Sequence, residues 1–476
     1  MSMRRALLPG MALALGMGCS LGRVLGSAPW ALVPAAASLG LALWRRKAVW
    51  VWIGILLVGL ALHPEHPRSP VAVPLLRGVA GRVVSFPESH RRSLSFVLEL
   101  PGTGARLLVY APITTDIGFG DRVALWGQGE VPEGGWGTYL SNRGIHGLFR
   151  AERAQVLARG KRSLGSILDG LRRVALGKLE RVLPDESAAL IQALLFGSRG
   201  LLPREMKEWF RCAGVAHLLA LSGLHLGIIT AGIWWGLGLL RLRPGKRYLV
   251  SFVLVALYIA LAGMRVSLVR AGIMFGTLGL FWLFAEGGLL LKSWYDPLQG
   301  LSLAALIVLS LWPWSVSDLG FQLSFSATAA ILIFWPRWGD SRLRKALPRL
   351  LLRPADLFAV SLFAQAGTLG FVGSSFGYIP LYGPLANLLL IPWTALIIWW
   401  GLAILALPSP LASHLGALLG RFLIGPYLDA VGRIAALPGA VLPVAHTFGL
   451  WYALAFLALL SLHATRPRGL TPFGRR

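Results

Sequence analysis

Acidic residues and cysteines are scarce in this sequence. Twenty Asp and Glu stand against 46 Lys and Arg, and Cys19 and Cys212 are the only cysteines in 476 residues. The first cysteine lies in an apolar run and the second in a loop-like segment, so neither a disulfide nor a zinc framework follows from them. HExxH and HxHxDH are both absent, and His217 and His225 have no acidic residue in their own segment, so no metal and no cofactor is expected. GxxxxGK[ST] is absent too, which excludes a motor of the P-loop kind. Charged residues amount to only 14%, too few for a chain made mostly of soluble domains.

Apolar sequence is what the chain has in excess: 55% hydrophobic residues and a mean hydropathy of +0.66. Runs long enough to cross a bilayer, about 20 residues each, recur toward both ends, and one central block lacks them. The pattern predicts a multi-pass α-helical membrane protein with about 12 transmembrane helices and an inserted, extracytoplasmic small β-barrel domain of the OB kind. Its parts are N-terminal transmembrane helices over 1–66, the β domain over 67–160, an amphipathic interfacial helix over 161–185, a helical domain over 186–465 and a basic cytoplasmic tail over 466–476. MSMRRALLPGMALALGMGCS has the flank and apolar run of a signal peptide, but the run continues into further apolar sequence and reads as a first spanning helix.

The net charge of +26 suits either a polyanion-binding surface or Lys and Arg retained in cytoplasmic loops. In the helical domain, segments centred near 228, 256, 275, 305, 327, 365, 396, 423 and 456 leave Arg241 to Arg247, Arg337 to Arg353 and the tail on one side with Arg4 and Arg5. The segment near 423 is the weakest, because Arg421, Asp429 and Arg433 interrupt it.

Between 70 and 160, five runs alternate with period 2: LRGVAGRVVSF, SLSFVLEL, ARLLVYAP, DRVALWGQGEVP and GIHGLFRAERAQVL. Arg77, Arg82, Arg91, Arg92, Arg106 and Arg122, with Phe96, Tyr110 and Trp126, have the chemistry of a face that stacks bases and holds phosphates. The same aromatics also suit a barrel core, and the arginines a guarded sheet edge. In SLGSILDGLRRVALGKLERVLP, apolar residues from Leu164 to Val182 repeat at helical spacing, and Arg172, Arg173, Lys178 and Arg181 are assigned to other faces.

Polar side chains inside spanning segments are costly and turn toward a bundle interior or a wet cavity. HLLALSGLHLG carries His217, Ser222, Gly223 and His225, and Gly223 offers a place for the helix to open. SDLGFQLSFSATAA places Asp318, Gln322 and Ser326 at i, i+4 and i+8; VSLFAQAGTLG places Ser361, Gln365 and Thr368 at i, i+4 and i+7. Asn387 precedes Pro392, which predicts a broken or kinked helix, and GMRVSLVRAG brings Arg265 and Arg270 to a further segment. These residues form the candidate lining of one path; interhelical hydrogen bonding is the competing reading for the Ser and Thr. Ser222 with His225 at i+3 also permits an intramembrane Ser/His-dependent hydrolase, although no orienting carboxylate is in view.

HLLALSGLHLG, preceded by ALLFGSRGLLPREMKEWFRCAGVA and followed in order by GMRVSLVRAGIM, DLGFQLSFSATAAI, SLFAQAGTLG and PLANLLLIPW, resembles the ComEC competence family. The resemblance extends to the N-terminal helices and to GTYLSNRGI at the end of the β block. It implies a channel of the bacterial cytoplasmic (inner) membrane that admits single-stranded DNA during natural transformation; with neither a nuclease metal motif nor a Walker motif in the chain, no enzymatic activity is expected. It implies single-stranded DNA and the lipid bilayer as partners, and with them a DNA-receptor protein, a cytoplasmic DNA-translocating ATPase and a separate nuclease; a homo-oligomer stays open. Many members continue into a C-terminal metallo-β-lactamase-like domain, and this chain, with no HxHxDH, is expected to be a short form without it. Transport of another anionic polymer or a lipid is the remaining alternative.

Overall fold

The computed structural model describes residues 76–141, 143–286, 296–445, 447–449 and 451–452, with positions 11, 12, 14–17, 19 and 73. The rest of the expected 1–66 helices, most of the segment near 456 and the basic tail lie outside the described residues.

The central block folds as β1 (Gly78–Val83), β2 (Glu88–Ser89), β3 (Ser93–Glu99), β4 (Arg106–Pro112), β5 (Arg122–Glu130), α1 (Gly134–Ser141) and β6 (Ile145–Ala158). Strand geometry sends alternate side chains to opposite faces, so the period-2 runs direct Phe96, Leu98, Leu107, Val109, Val123, Leu125 and Phe149 into one core. β1 pairs with β5, β5 with β6 and β3 with β4, all antiparallel, and β4 pairs with β6 in parallel. The ring returns to its start where β1 meets β3 at Arg82↔Glu99 and Val83↔Leu98. Gly81 permits that meeting, because a Cβ there would lie 2.5 Å from the Glu99 carbonyl oxygen.

α2 (Leu164–Val182) follows, started by a Ser163 capping box. Its faces differ from the expected arrangement: Leu164, Ile167, Leu171 and Val174 are exposed, and Arg172 lies on the buried face with Leu168, Leu179 and Val182. The reason is hydrogen bonding, since Arg172 Nη1 donates to the carbonyls of Phe196 (3.0 Å) and Leu261 (3.1 Å). Asp169 joins the helix to the β block by accepting from the Phe119 N–H at 2.9 Å and pairing with Arg173 at 3.3 Å. Burial raises the Asp169 carboxyl above the usual carboxylate range, and the Phe119 N–H and Arg173 oppose that shift.

The helical part continues with α3 (Asp185–Phe196), α4 (Arg204–Cys212), the single turn α5 (Ala216–Leu219), α6 (Gly223–Leu239), α7 (Pro244–Leu261), α8 (Val266–Glu286), α9 (Pro297–Leu311) and α10 (Leu319–Asp340). After them come α11 (Arg342–Ala346), α12 (Arg349–Phe376), β7 (Tyr378–Pro380), α13 (Gly383–Ala406), α14 (Ser409–Leu419), α15 (Gly425–Ala435) and β8 (Val441–Pro443), which pairs with β7. Among the described residues six stretches are long and apolar enough to cross a membrane: α7, α8, α10, α12, α13 and the 409–435 run of α14 and α15. This is a membrane protein. α6 and α9 are apolar but shorter. α13 continues through Pro392 as one helix, without the expected break, and α14 and α15 are joined by a π turn at Gly420–Ile424.

The β block touches one end of this bundle. Phe86 lies 3.8 Å from the Cβ position of Gly263 in the α7–α8 turn, and Arg143 reaches the α9–α10 connection at Asp318. The 18 residues of α7 extend about 27 Å, which carries Arg241 to Arg247 to the opposite end. α10 does the same for Arg337 to Arg353.

Leu107→Ala, which empties part of the β-block core, is expected to cost about 2–5 kcal/mol. The check is faster protease cleavage within 76–158 of the full-length protein, with the helical part cut at its original rate.

Candidate functional site

HLLALSGLHLG is a broken helix. α5 stops at Leu219, Ala220 (φ −90°, ψ 126°) and Ser222 (φ −128°, ψ 172°) are extended, and α6 starts at Gly223. The opening therefore precedes Gly223. Ser222 and His225 close the new helix end: the Ser222 N–H donates to His225 Nδ1 at 3.4 Å, and Ser222 Oγ lies 3.0 Å from the same nitrogen. A ring nitrogen that accepts a backbone N–H is unprotonated, so the network assigns the imidazole proton to Nε2. His225 is fully buried, and among the described residues Nε2 has no hydrogen bond of good geometry.

His217 extends this cluster. It lies beside His225, the Gly214 backbone and the Asn387 side chain, and it presents open surface. Asn387 is 7% exposed, and its buried Oδ1 makes no hydrogen bond of good geometry among the described residues, with His217 its neighbour. Gly214, at φ +75°, allows α13 to approach: a Cβ there would lie 2.8 Å from Gly383 Cα. Gln365 fixes the same corner by donating from Nε2 to the Pro380 carbonyl at 2.8 Å.

On the other side of the break lies Arg270 of α8. Its Nε donates to Ser324 Oγ at 2.9 Å, its Nη1 meets Met274 Sδ at 3.5 Å, and the guanidinium carbon is 5.7 Å from the Phe325 ring centroid. Nη2 lies 2.7 Å from where a Cβ on Gly223 would be. Six candidates thus share one region: His217, Ser222, Gly223, His225, Arg270 and Asn387, with Gln365 at its border.

The remaining candidates of the helical part have other positions. Arg265 Nη2 donates to the Gly197 carbonyl at 2.9 Å, at the C-terminus of α3. Gln322 Nε2 donates to the Val316 carbonyl, and Ser326 Oγ bonds back to the Gln322 carbonyl. Asp318 is the N-cap of α10. One oxygen accepts from the Phe321 N–H at 3.1 Å, and the other accepts from Arg143 Nε and Nη2 at 3.3 and 3.2 Å.

In the β block, Arg77, Arg82, Arg91, Arg92, Arg106, Arg122 and Trp126 are exposed, Tyr110 is half-buried, and Phe96 belongs to the core. Arg82 and Arg122 are cross-strand neighbours and share a cleft of about 540 Å³ with Glu99 and Leu157. Arg106 forms an ion pair with Glu99 at 3.3 Å. Tyr110 lies next to His90, 5.9 Å between ring centroids, apart from that cleft.

The Competence protein family model matches residues 194–468. The chain belongs to this family. The match holds every candidate of the helical part and none of those in the β block. ComE operon protein 3 of Bacillus subtilis (strain 168) is 25% identical over 346 residues, 71% of this chain and 41% of that protein. Competence protein ComA of Neisseria gonorrhoeae is 30% identical over 302 residues, 60% of this chain and 40% of that protein. This competence protein, of ComEC type, thus spans about two fifths of the length of these curated relatives. No solved structure matches it.

Several residues that organise this ComEC-type protein were not among the candidates. Arg143 sits in the quoted GTYLSNRGI, but its partner is 175 residues away and no local pattern pairs them. Lys178 donates to the Leu405 and Leu407 carbonyls at the end of α13, and Glu88 Oε1 accepts from the Arg199 and Gly200 N–H groups. Arg172 had a usable signal, since it falls four residues after Leu168 and seven before Leu179, on the face they share.

Asp318→Asn keeps an acceptor for the α10 N-terminus and weakens the half-exposed pair with Arg143, for an expected loss of about 0.2–1 kcal/mol. Asp318→Ala also removes the cap and should cost about 0.5–2 kcal/mol more. Thermal unfolding of both variants, alone and combined with Arg143→Gln, checks the order and isolates the pair.

Proposed function

We propose that this protein forms the conduit by which single-stranded DNA crosses the bacterial cytoplasmic membrane during competence. The observation that carries the reading is the interrupted helix at 220–222, with two imidazoles, a buried amide and a guanidinium gathered around it in a chain of the Competence family. A single strand bears one negative charge per nucleotide, and hydrocarbon excludes it unless donors and positive charge replace its hydration. His217, His225, Arg270 and Asn387 supply such groups. The name of the N. gonorrhoeae relative, competence protein ComA, agrees with a role in competence.

The β block is read as an OB-like barrel, on the strength of its ring of pairings and its one parallel pair between β4 and β6. It is placed outside the cytoplasm, because it touches the bundle end opposite Arg241 to Arg247 and Arg337 to Arg353, and such clusters favour the cytoplasmic side. Arg82 and Arg122 are its candidate strand contacts. The expected total of about 12 spans, a receptor protein, a translocating ATPase and a separate nuclease belong to the same proposal.

The 3.0 Å contact between Ser222 Oγ and His225 Nδ1 favours a second reading, a Ser/His-dependent hydrolase. A hydrolase uses its base free to take the serine proton, with a third group orienting the ring. Here Nδ1 also accepts the Ser222 N–H, as a helix cap does, and the other polar neighbours of the ring among the described residues are His217 and the Leu218 backbone, with no carboxylate. The conduit reading therefore takes no catalytic step.

A strain lacking the gene should lose transformation and keep DNA capture at its surface; normal transformation would refute the conduit. Ser222→Ala should reduce uptake less than His225→Asp or Asp318→Lys does. Complete loss in Ser222→Ala, with protein levels unchanged, would favour the hydrolase.

A further inference from the structure

Four long basic side chains with interior contacts, Arg172, Lys178, Arg247 and Arg265, end on backbone carbonyls. Arg270 does not. It is 7% exposed, its Nε is held by a neutral serine, its Nη1 touches a thioether, and among the described residues no carboxylate or carbonyl accepts from Nη2. A buried cation without a counter-charge is expensive, and such groups mark the sites of ions that come and go.

Nη2 is aimed at the start of α6, where the Gly223 and Leu224 N–H groups precede any intrahelical acceptor. A helix of 17 residues adds partial positive charge at this end. The surroundings are open: Gly223 is half-buried, Leu224 is 36% exposed, and a Cβ on Gly227, one turn further on the same face, would meet nothing within 4 Å. His225 Nε2, which faces the Leu218 carbonyl without a hydrogen bond of good geometry, belongs to the same turn.

We propose that Arg270 and the first N–H groups of α6 form an oxyanion site that holds one phosphodiester group of the strand at a time. The identity of the polymer rests on the conduit reading above; the phosphate chemistry rests on the guanidinium and the helix end. A helix N-terminus offers N–H groups and partial positive charge to phosphate and arginine offers charged donors, and here the two converge on one opening. Gly223 is part of the device, because any larger residue would press on Nη2.

The test uses the full-length protein in phosphatidylcholine nanodiscs, titrated with a fluorescent oligothymidylate and with a methylphosphonate oligomer of the same bases and no backbone charge. Arg270→Gln should weaken binding of the charged strand about tenfold or more, as loss of a charge-assisted hydrogen bond does, and leave the neutral oligomer unaffected. Arg270→Lys should fall between, and Gly223→Ala should weaken the charged strand with the arginine still present. A folded Arg270→Gln with wild-type affinity for the charged strand overturns the site. If that variant instead loses copurifying phosphatidylglycerol at unchanged strand affinity, the opening holds a lipid headgroup and the proposal also fails. Should Arg270→Gln not fold, unchanged affinity in Gly223→Ala overturns the site in the same way. Normal transformation in the deletion strain would remove the conduit itself, a failure separate from any of these binding results.

Discussion

Inside an apolar bundle, every backbone group that leaves a helix must find a partner in the protein, because hydrocarbon offers none. This constraint explains a recurring set of polar contacts between elements. α3 ends at Phe196 and Gly197, and Arg172, Arg265 and Tyr258 donate to the carbonyls of residues 195–197. α13 ends near Leu407, and Lys178 covers its last carbonyls. α10 begins at Leu319, and Asp318 accepts from its first turn. α6 begins inside HLLALSGLHLG, and Ser222 and His225 supply its cap from within the same motif.

The constraint also attaches the β block to the membrane part. Arg172 links α2 to both the α3 terminus and the α7–α8 turn, and Glu88 of β2 holds the N–H groups of Arg199 and Gly200 just beyond α3. At the other contact, Asp318 gives one oxygen to α10 and the other to Arg143. The same groups that satisfy helix ends thus fix the domain over the bundle.

The β block was largely legible, since period-2 burial is written directly in runs such as ARLLVYAP, which became β4. So was the weak point in HLLALSGLHLG, where a polar residue beside glycine marks an interruption. Arg265 and Arg270 show where reading stops. They lie five residues apart in one motif, about 140° around a helix axis, and only the fold decides that the first caps α3 while the second faces the α6 opening. Asp318 with Gln322 and Ser326 looked like a helical stripe of one function. The structure separates them, because the hydroxyl at position 326 bonds back to its own helix and the carboxylate stands at the helix end. Helical spacing reports a shared face; it does not report whether a donor is already used.

That distinction bears on how a polyanion would pass. A deep positive well would trap a charged strand, and an uncharged path would exclude it; conduction needs a site favourable enough to enter and weak enough to leave. One guanidinium, supported by partial helix charge and neutral donors such as His217, meets the requirement better than a row of arginines. Asp318 would be an obstacle if its carboxylate faced the path alone, since like charge repels phosphate. Its two oxygens are directed instead to the Phe321 N–H and to Arg143, and its charge is largely neutralised where the β block meets the bundle. Asp318 and Asp356 meet arginines in the helical part's contacts at 3.2 and 2.8 Å and are thus paired, and among the described residues neither pairs with Arg270, which would leave that charge to a passing phosphate.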